Sequence, residues 1–133
     1  MPVEPRNQTE KKETDSGTIV SNIWIAKPEF GIYLLGITDY PIDIETKREL
    51  ELDRDNFLKA VNAKLIDDSD ISLNCSPGKE FTGASDTYTF RSRVYVVGRR
   101  VYQIVAGEPT STIDSARVKK FLESFEFVKA TKN

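Results

Sequence analysis

"SRVYVVGRRVYQIVAG", residues 92–107, decides the fold. Apolar and polar residues alternate on both sides of Gly98-Arg99, the period of strands whose side chains point to opposite faces. Glycine at the first position of a two-residue connection is what a type II′ turn demands, so the stretch folds back as an antiparallel hairpin. This register pairs Val97 with Arg100, Val96 with Val101, Tyr95 with Tyr102 and Val94 with Gln103. The tyrosines become cross-strand neighbours, a pair contributing roughly 0.2–1 kcal/mol. The first strand of the hairpin is predicted from about Asp86 to Val97. It places Tyr88, Phe90, Val94 and Val96 on one face and Thr89, Arg91, Arg93, Tyr95 and Val97 on the other.

Working outward, "TIVSNIWIA" (18–26) alternates and "FGIYLLGITDY" (30–40) is β-branched and aromatic, so a second hairpin is expected around "KPEF", with Pro28 setting the turn. Both faces of that pair are largely apolar, which implies cover on each side. Pro41 stops the strand, and the charged stretch 42–56 leads into a helix. Leu50, Phe57, Leu58, Val61 and Leu65 lie near helical spacing there, with Asp53 as a cap partway along. "LIDDSD" reads as an exit loop, followed by a strand in which Ile71, Leu73 and Cys75 alternate, before Pro77-Gly78 breaks or bulges it. After the turn-rich "GEPTST", Asp114 caps a final helix. Its stripe of Val118, Phe121, Leu122 and Phe125 falls at i, i+3, i+4 and i+7, and Phe127 closes the core. The order predicts an α+β fold, an antiparallel β-sheet flanked by helices on both faces.

A chain of 133 residues fits one domain. Residues 4–16, "EPRNQTEKKETDS", offer nothing to anchor a core. The expected division is therefore a mobile polar N-terminal segment at 1–16, a single α+β domain at 17–128 and a tail at 129–133. The net charge of −2 argues against wholesale nucleic-acid binding, which needs a basic field. No window approaches the length of apolar sequence that spans a membrane.

The composition also removes several chemistries. Without histidine the commonest general base is missing, and serine–histidine and cysteine–histidine catalysis are excluded. One cysteine forms neither an intramolecular disulfide nor a zinc site of Cys/His type, and Cys75 is expected as a buried, inert thiol. Asp67, Asp68 and Asp70 could offer oxygens to calcium. They lack the glycine and distal glutamate of a calcium loop, and the expectation is a solvated acidic turn. No catalytic residue, cofactor or metal is expected.

Several pieces together carry a resemblance: "MPVEP", "YLLGITDYP", "SPGKEF", "RSRVYVVGRRVYQIVAG" and the closing "FLESFEF". The chain resembles bacterial proteins, common in cyanobacteria and planctomycetes, that end in a strand hairpin and a Phe-Leu-x-Ser-Phe helix. These are similar to the PsbP-like fold, an α/β/α sandwich. In that family a short first strand precedes "MPVEP", which implies a natural start further upstream and leaves compartment open. The resemblance implies a non-catalytic accessory or protein-binding role, as for the PsbP subunit of the oxygen-evolving complex and a eukaryotic relative that binds the Ran GTPase. It carries over no site residues, because metal binding attributed to PsbP involves histidine. A shared fold does not transmit function.

The best candidate for function is an interaction patch of Arg91, Arg93, Tyr95, Arg99, Arg100 and Tyr102, residue types enriched at binding hot spots. Three readings compete. A helix covers the tyrosines while the arginine heads reach solvent; the patch docks a protein or an anionic ligand; or bases of single-stranded nucleic acid stack on the tyrosines. The leading expectation is a monomeric, protein-binding, non-enzymatic domain. The alternative is a small-ligand binder or carboxylate-based enzyme in the cleft between the first helix and the sheet.

Overall fold

The Gly98-Arg99 connection behaves as its sequence requires. In the computed structural model, which describes residues 6–27, 31–73 and 75–123, Gly98 takes φ +63°. The strands it joins, β6 (Tyr88–Val97) and β7 (Arg100–Pro109), pair in the expected register from Val97↔Arg100 through Tyr95↔Tyr102 to Tyr88↔Pro109. Before them come β1 (Arg6–Thr14), β2 (Gly17–Ala26), β3 (Ile32–Asp39), helix α1 (Thr46–Ala60), β4 (Lys64–Leu73) and β5 (Ser76–Ala84); helix α2 (Ser115–Glu123) follows. The strands form one antiparallel sheet in the order β1-β2-β3-β7-β6-β5-β4. It consists of two meanders, β1–β3 and β4–β7, joined along a seam where β3 pairs with β7 from Ile32↔Gly107 to Asp39↔Arg100.

Alternation along the strands sends two sets of apolar residues to opposite faces. Leu50 and Leu58 of α1 pack with Phe81, Val94, Val96 and Val101 on one face. Val118 and Leu122 of α2 pack with Tyr33, Tyr95, Ile104 and Ala106 on the other. The expected α/β/α sandwich is nevertheless not what forms. Among the described residues strand accounts for 58% against 23% helix, with only two short α-helices. At 15 and nine residues they run about 22 and 13 Å, whereas seven strands spread over roughly 29 Å. Both gather over β5–β7, so among the described residues neither face is covered by a helical layer.

The helix ends follow from local chemistry. At the start of α1, the Glu45 carboxylate accepts from the Lys47 amide at 2.8 Å. At its end Asn62 adopts φ +56°, a conformation asparagine tolerates. The Asn62 and Ala63 amides donate to the carbonyls of Lys59 (3.2 Å) and Leu58 (2.9 Å), satisfying two orphan acceptors of the last turn. Asp53 is not a cap: it lies inside α1, and Leu65 belongs to β4. Asp114 does cap α2, accepting from the Arg117 amide at 3.0 Å.

A buried carboxylate also seats α2. Glu108, at the end of β7, is fully enclosed. Its oxygens accept from the Tyr33 hydroxyl, the Asp114 amide at 3.1 Å, and Arg117 Nε and Nη2 at 2.8 and 2.6 Å. Burial pushes this carboxyl up, but the bonds from Arg117, Tyr33 and Asp114 outweigh it and hold Glu108 below the ordinary glutamate range.

Three further expectations change. Residues 6–14, read as part of a mobile segment, form edge strand β1, every residue exposed and all nine paired with β2. "DDSD" is not an exit loop but part of edge strand β4, whose register shifts between Leu65 and Asp67. Pro77-Gly78 does not interrupt β5, which runs through it paired to Ser72 and Ile71. Pro77 is tolerated because β6 pairs only from Gly78 onward, so the missing amide proton is not needed there. The turn at Pro28, Phe125, Phe127 and the tail at 129–133 lie outside the described residues.

Cys75 is not a buried strand residue. It is exposed in the two-residue connection between β4 and β5, at φ +67°. Left-handed backbone costs a residue with a Cβ roughly 1–2 kcal/mol, and glycine returns about 0.5–1 kcal/mol of that through unfolded-state entropy. Cys75→Gly is therefore expected to stabilise the protein by about 0.5 kcal/mol, read as a higher urea midpoint at unchanged slope.

Candidate interaction site at the hairpin tip

The register sends Arg91, Arg93, Tyr95, Arg100 and Tyr102 to the α2 face, as expected, but it divides them. Arg91 lies six positions from Val97, the partner of Arg100, which is about 20 Å along the strand. At the inner end Arg91 and Arg93 share one carboxylate, Glu80, at 3.6 and 3.5 Å. Tyr95 is only 3% exposed and belongs to the core beneath α2. Burial pushes its phenol up, with Arg93 pulling the other way. Its ring lies over Gly78, where an added Cβ would meet Tyr95 Cδ1 and the Val94 carbonyl at 2.6 Å each. Tyr95 is therefore not an interaction anchor, and no base could stack on it.

At the outer end the other half of the patch is built by the hairpin tip and the chain leaving β3. The Tyr40 amide donates to the Arg99 carbonyl at 2.9 Å. Arg99 returns Nε to Asp43 (2.9 Å) and Nη1 to the Pro41 carbonyl (3.2 Å). Arg100 forks onto Asp39 with bonds of 2.6 and 3.0 Å and sits 6.0 Å over the half-buried Tyr102 ring. The hydrogen bond to Asp39, and then that to Tyr102, hold its guanidinium charged. Both heads stay accessible, with side chains 56% and 47% exposed. Two large apolar residues join them at this end of the sheet, Ile42 at 49% and Val97 at 39% exposure.

Sequence reasoning missed the acids that fix these arginines, Asp39, Asp43 and Glu80, and the exposed Ile42. Asp39 was within reach of inference, because it pairs with Arg100 once β3 is placed beside β7. Nothing in the sequence sets β3 there, since sixty residues separate the two strands.

Two other places carry chemistry. An open groove of about 690 Å³ lies between the start of α1 and the β4–β5 hairpin, lined by Lys47, Leu50, Glu51, Asp70 and Lys79 among others. A carboxyl pair, Glu49 and Asp53, sits further along α1 with the Tyr40 hydroxyl donating to Glu49 at 2.9 Å; it does not line the groove. Asp68 and Asp70, considered above for calcium, are engaged by Lys79 at 3.7 and 3.1 Å, and Asp68 also by Arg54. Among the described residues no group of three or more acidic or cysteine side chains could hold a metal ion. None of the described helices is long and apolar enough to cross a membrane. No family model, curated protein or solved structure matches the chain, so nothing there bears on the PsbP-like resemblance.

Proposed function

We propose that the protein is a non-catalytic, protein-binding domain whose contact site is the hairpin tip, formed by Arg99, Arg100, Ile42 and Val97. The observation that supports it most directly is that both arginines are paired, Arg99 with Asp43 and the Pro41 carbonyl and Arg100 bidentately with Asp39, while their heads stay accessible. An arginine already ordered in the free protein loses less side-chain freedom on binding, so more of its contact energy appears as affinity. The exposed Ile42 and Val97 beside it supply apolar area of the kind found at interface centres.

The test uses a photo-activated cross-linker at Ile42, with Thr9 on the polar edge strand as the control position, in extract of the native host. A protein adduct is expected from position 42 and not from position 9. Arg99→Glu with Arg100→Glu is expected to weaken binding of that protein at least 30-fold, the scale of a hot-spot loss. The exposed ion pairs contribute under about 1 kcal/mol each, so the variant still folds. Identical adducts from both positions, or undiminished binding by the double variant, would overturn the proposal.

A second reading, a small polar ligand in the groove beside α1, is supported by its size and by the mixed charges of Lys47, Glu51, Asp70 and Lys79 on its walls. Recognition that survives replacement at the tip and is lost on Lys47→Glu would assign binding there instead.

A further inference from the structure

Glu49 and Asp53 stand four residues apart on α1 and therefore share one side of the helix. Asp53 Oδ2 is completely enclosed and has no hydrogen-bond partner. The group within its reach is the Glu49 carboxyl, which already accepts from Tyr40. Two carboxylates brought together without a donor between them repel, and the enclosure of Oδ2 keeps that oxygen from the water that would otherwise satisfy it. A proton between them turns the contact into a hydrogen bond and satisfies the enclosed oxygen.

Among the described residues no other group donates to that oxygen. The titratable groups acting on Asp53 are Glu49 on its own helix and Tyr40 at the end of β3. The strands beneath α1 present Phe81, Val94, Val96 and Val101. Of the cations near this face, Arg54 is held by Asp55 and Asp68, and Lys79 by Asp68 and Asp70.

We propose that Glu49 and Asp53 hold one proton between their carboxyl groups and that this proton is a latch within α1, letting the Asp53 side of the helix stay seated against the sheet, its loss loosening the helix. Burial first, then the hydrogen bond to Glu49 and its charge, push Asp53 up from 3.8 to about 8. The sign follows. Between those two values the folded protein binds the proton and the unfolded chain does not, so stability falls as pH rises through the window and levels off above it.

Carboxyl ¹³C shifts followed by NMR read the Asp53 titration directly, and amide exchange reads the helix. Asp53 is expected to titrate near 8. Protection of α1 amides, relative to those of the β6–β7 hairpin, is expected to fall by up to tenfold per pH unit from 6 to 8. In Asp53→Asn the amide donates to Glu49 at every pH, and this relative fall should vanish. Glu49→Gln supplies a permanent donor to Asp53, so it should lower the Asp53 titration and also flatten the profile. Asp53 titrating near 4 in the wild-type protein would overturn the latch, as would parallel exchange profiles in the wild type and Glu49→Gln.

Discussion

Replacing Glu108 with alanine is expected to lower the free energy of unfolding by about 3 kcal/mol, measured by urea denaturation followed by circular dichroism. The carboxylate is fully buried and joins three parts of the fold: Tyr33 from β3, the amide of the α2 cap Asp114, and the Arg117 side chain. Deleting it leaves the Tyr33 hydroxyl and the Asp114 amide without that acceptor. Each such loss costs on the order of 1–3 kcal/mol where water cannot substitute. The Arg117 head is partly exposed and can turn to solvent, which keeps the expected loss at the lower end for a broken buried pair. The acid limb tests the same network. Because the native Glu108 carboxyl sits below its ordinary value of 4.5, its contribution is complete above that pH. It is lost as pH falls through the lowered native value. Glu108→Ala should remove that part of the acid destabilisation, and an unchanged acid limb would argue that another group is responsible.

Gly78→Ala is expected to cost about 2–3 kcal/mol, since overpacking of a filled site costs typically 1–3 kcal/mol and this one offers little relief. The new methyl would meet the Tyr95 ring and the Val94 carbonyl at 2.6 Å. The carbonyl belongs to central strand β6, and the ring is held in the core under α2, so neither can withdraw cheaply. Gly36→Ala is the matched control in β3, where the added methyl meets nothing nearer than Leu34 Cδ2 at 3.9 Å. Its change should stay within about 0.5 kcal/mol. Equal effects at the two positions would show that strand glycine as such, and not the seat beneath Tyr95, sets the cost.

The parts of this fold that could be read in advance are those whose information is local. Gly98 fixes a turn, the turn fixes a register, and the register puts Tyr95 opposite Tyr102. Asp114 lies one residue before α2 and caps it through its own side chain. Other elements hold together through partners far away in sequence. β1 has no apolar residue and so no alternation to detect; it is ordered by pairing to β2, with contacts such as Thr9 to Asn22 at 2.6 Å. The "DDSD" run looks like a solvated turn until Arg54 and Lys79 are brought beside it. Cys75 continues the alternation of Ile71 and Leu73 on paper, yet the chain reverses there.

The candidate patch suffered the same division. Its residue types and their common face were legible, but which members stay accessible depends on where α2 rests and on which acids arrive from β3 and β5. Glu108 was invisible for a related reason: within "GEPTST" a glutamate reads as part of a polar loop, and only Tyr33 and Arg117 reveal it as an interior charge.

The joining of the two meanders has a kinetic consequence. Every neighbouring pair of strands except β3 and β7 is consecutive along the chain, so most of the sheet can assemble through short excursions. A single long loop, from Asp39 to Arg100, must close before the halves meet. Its entropy grows only logarithmically with length. A protein this rich in strand would ordinarily be a slow folder, yet this arrangement confines the slow search to one encounter.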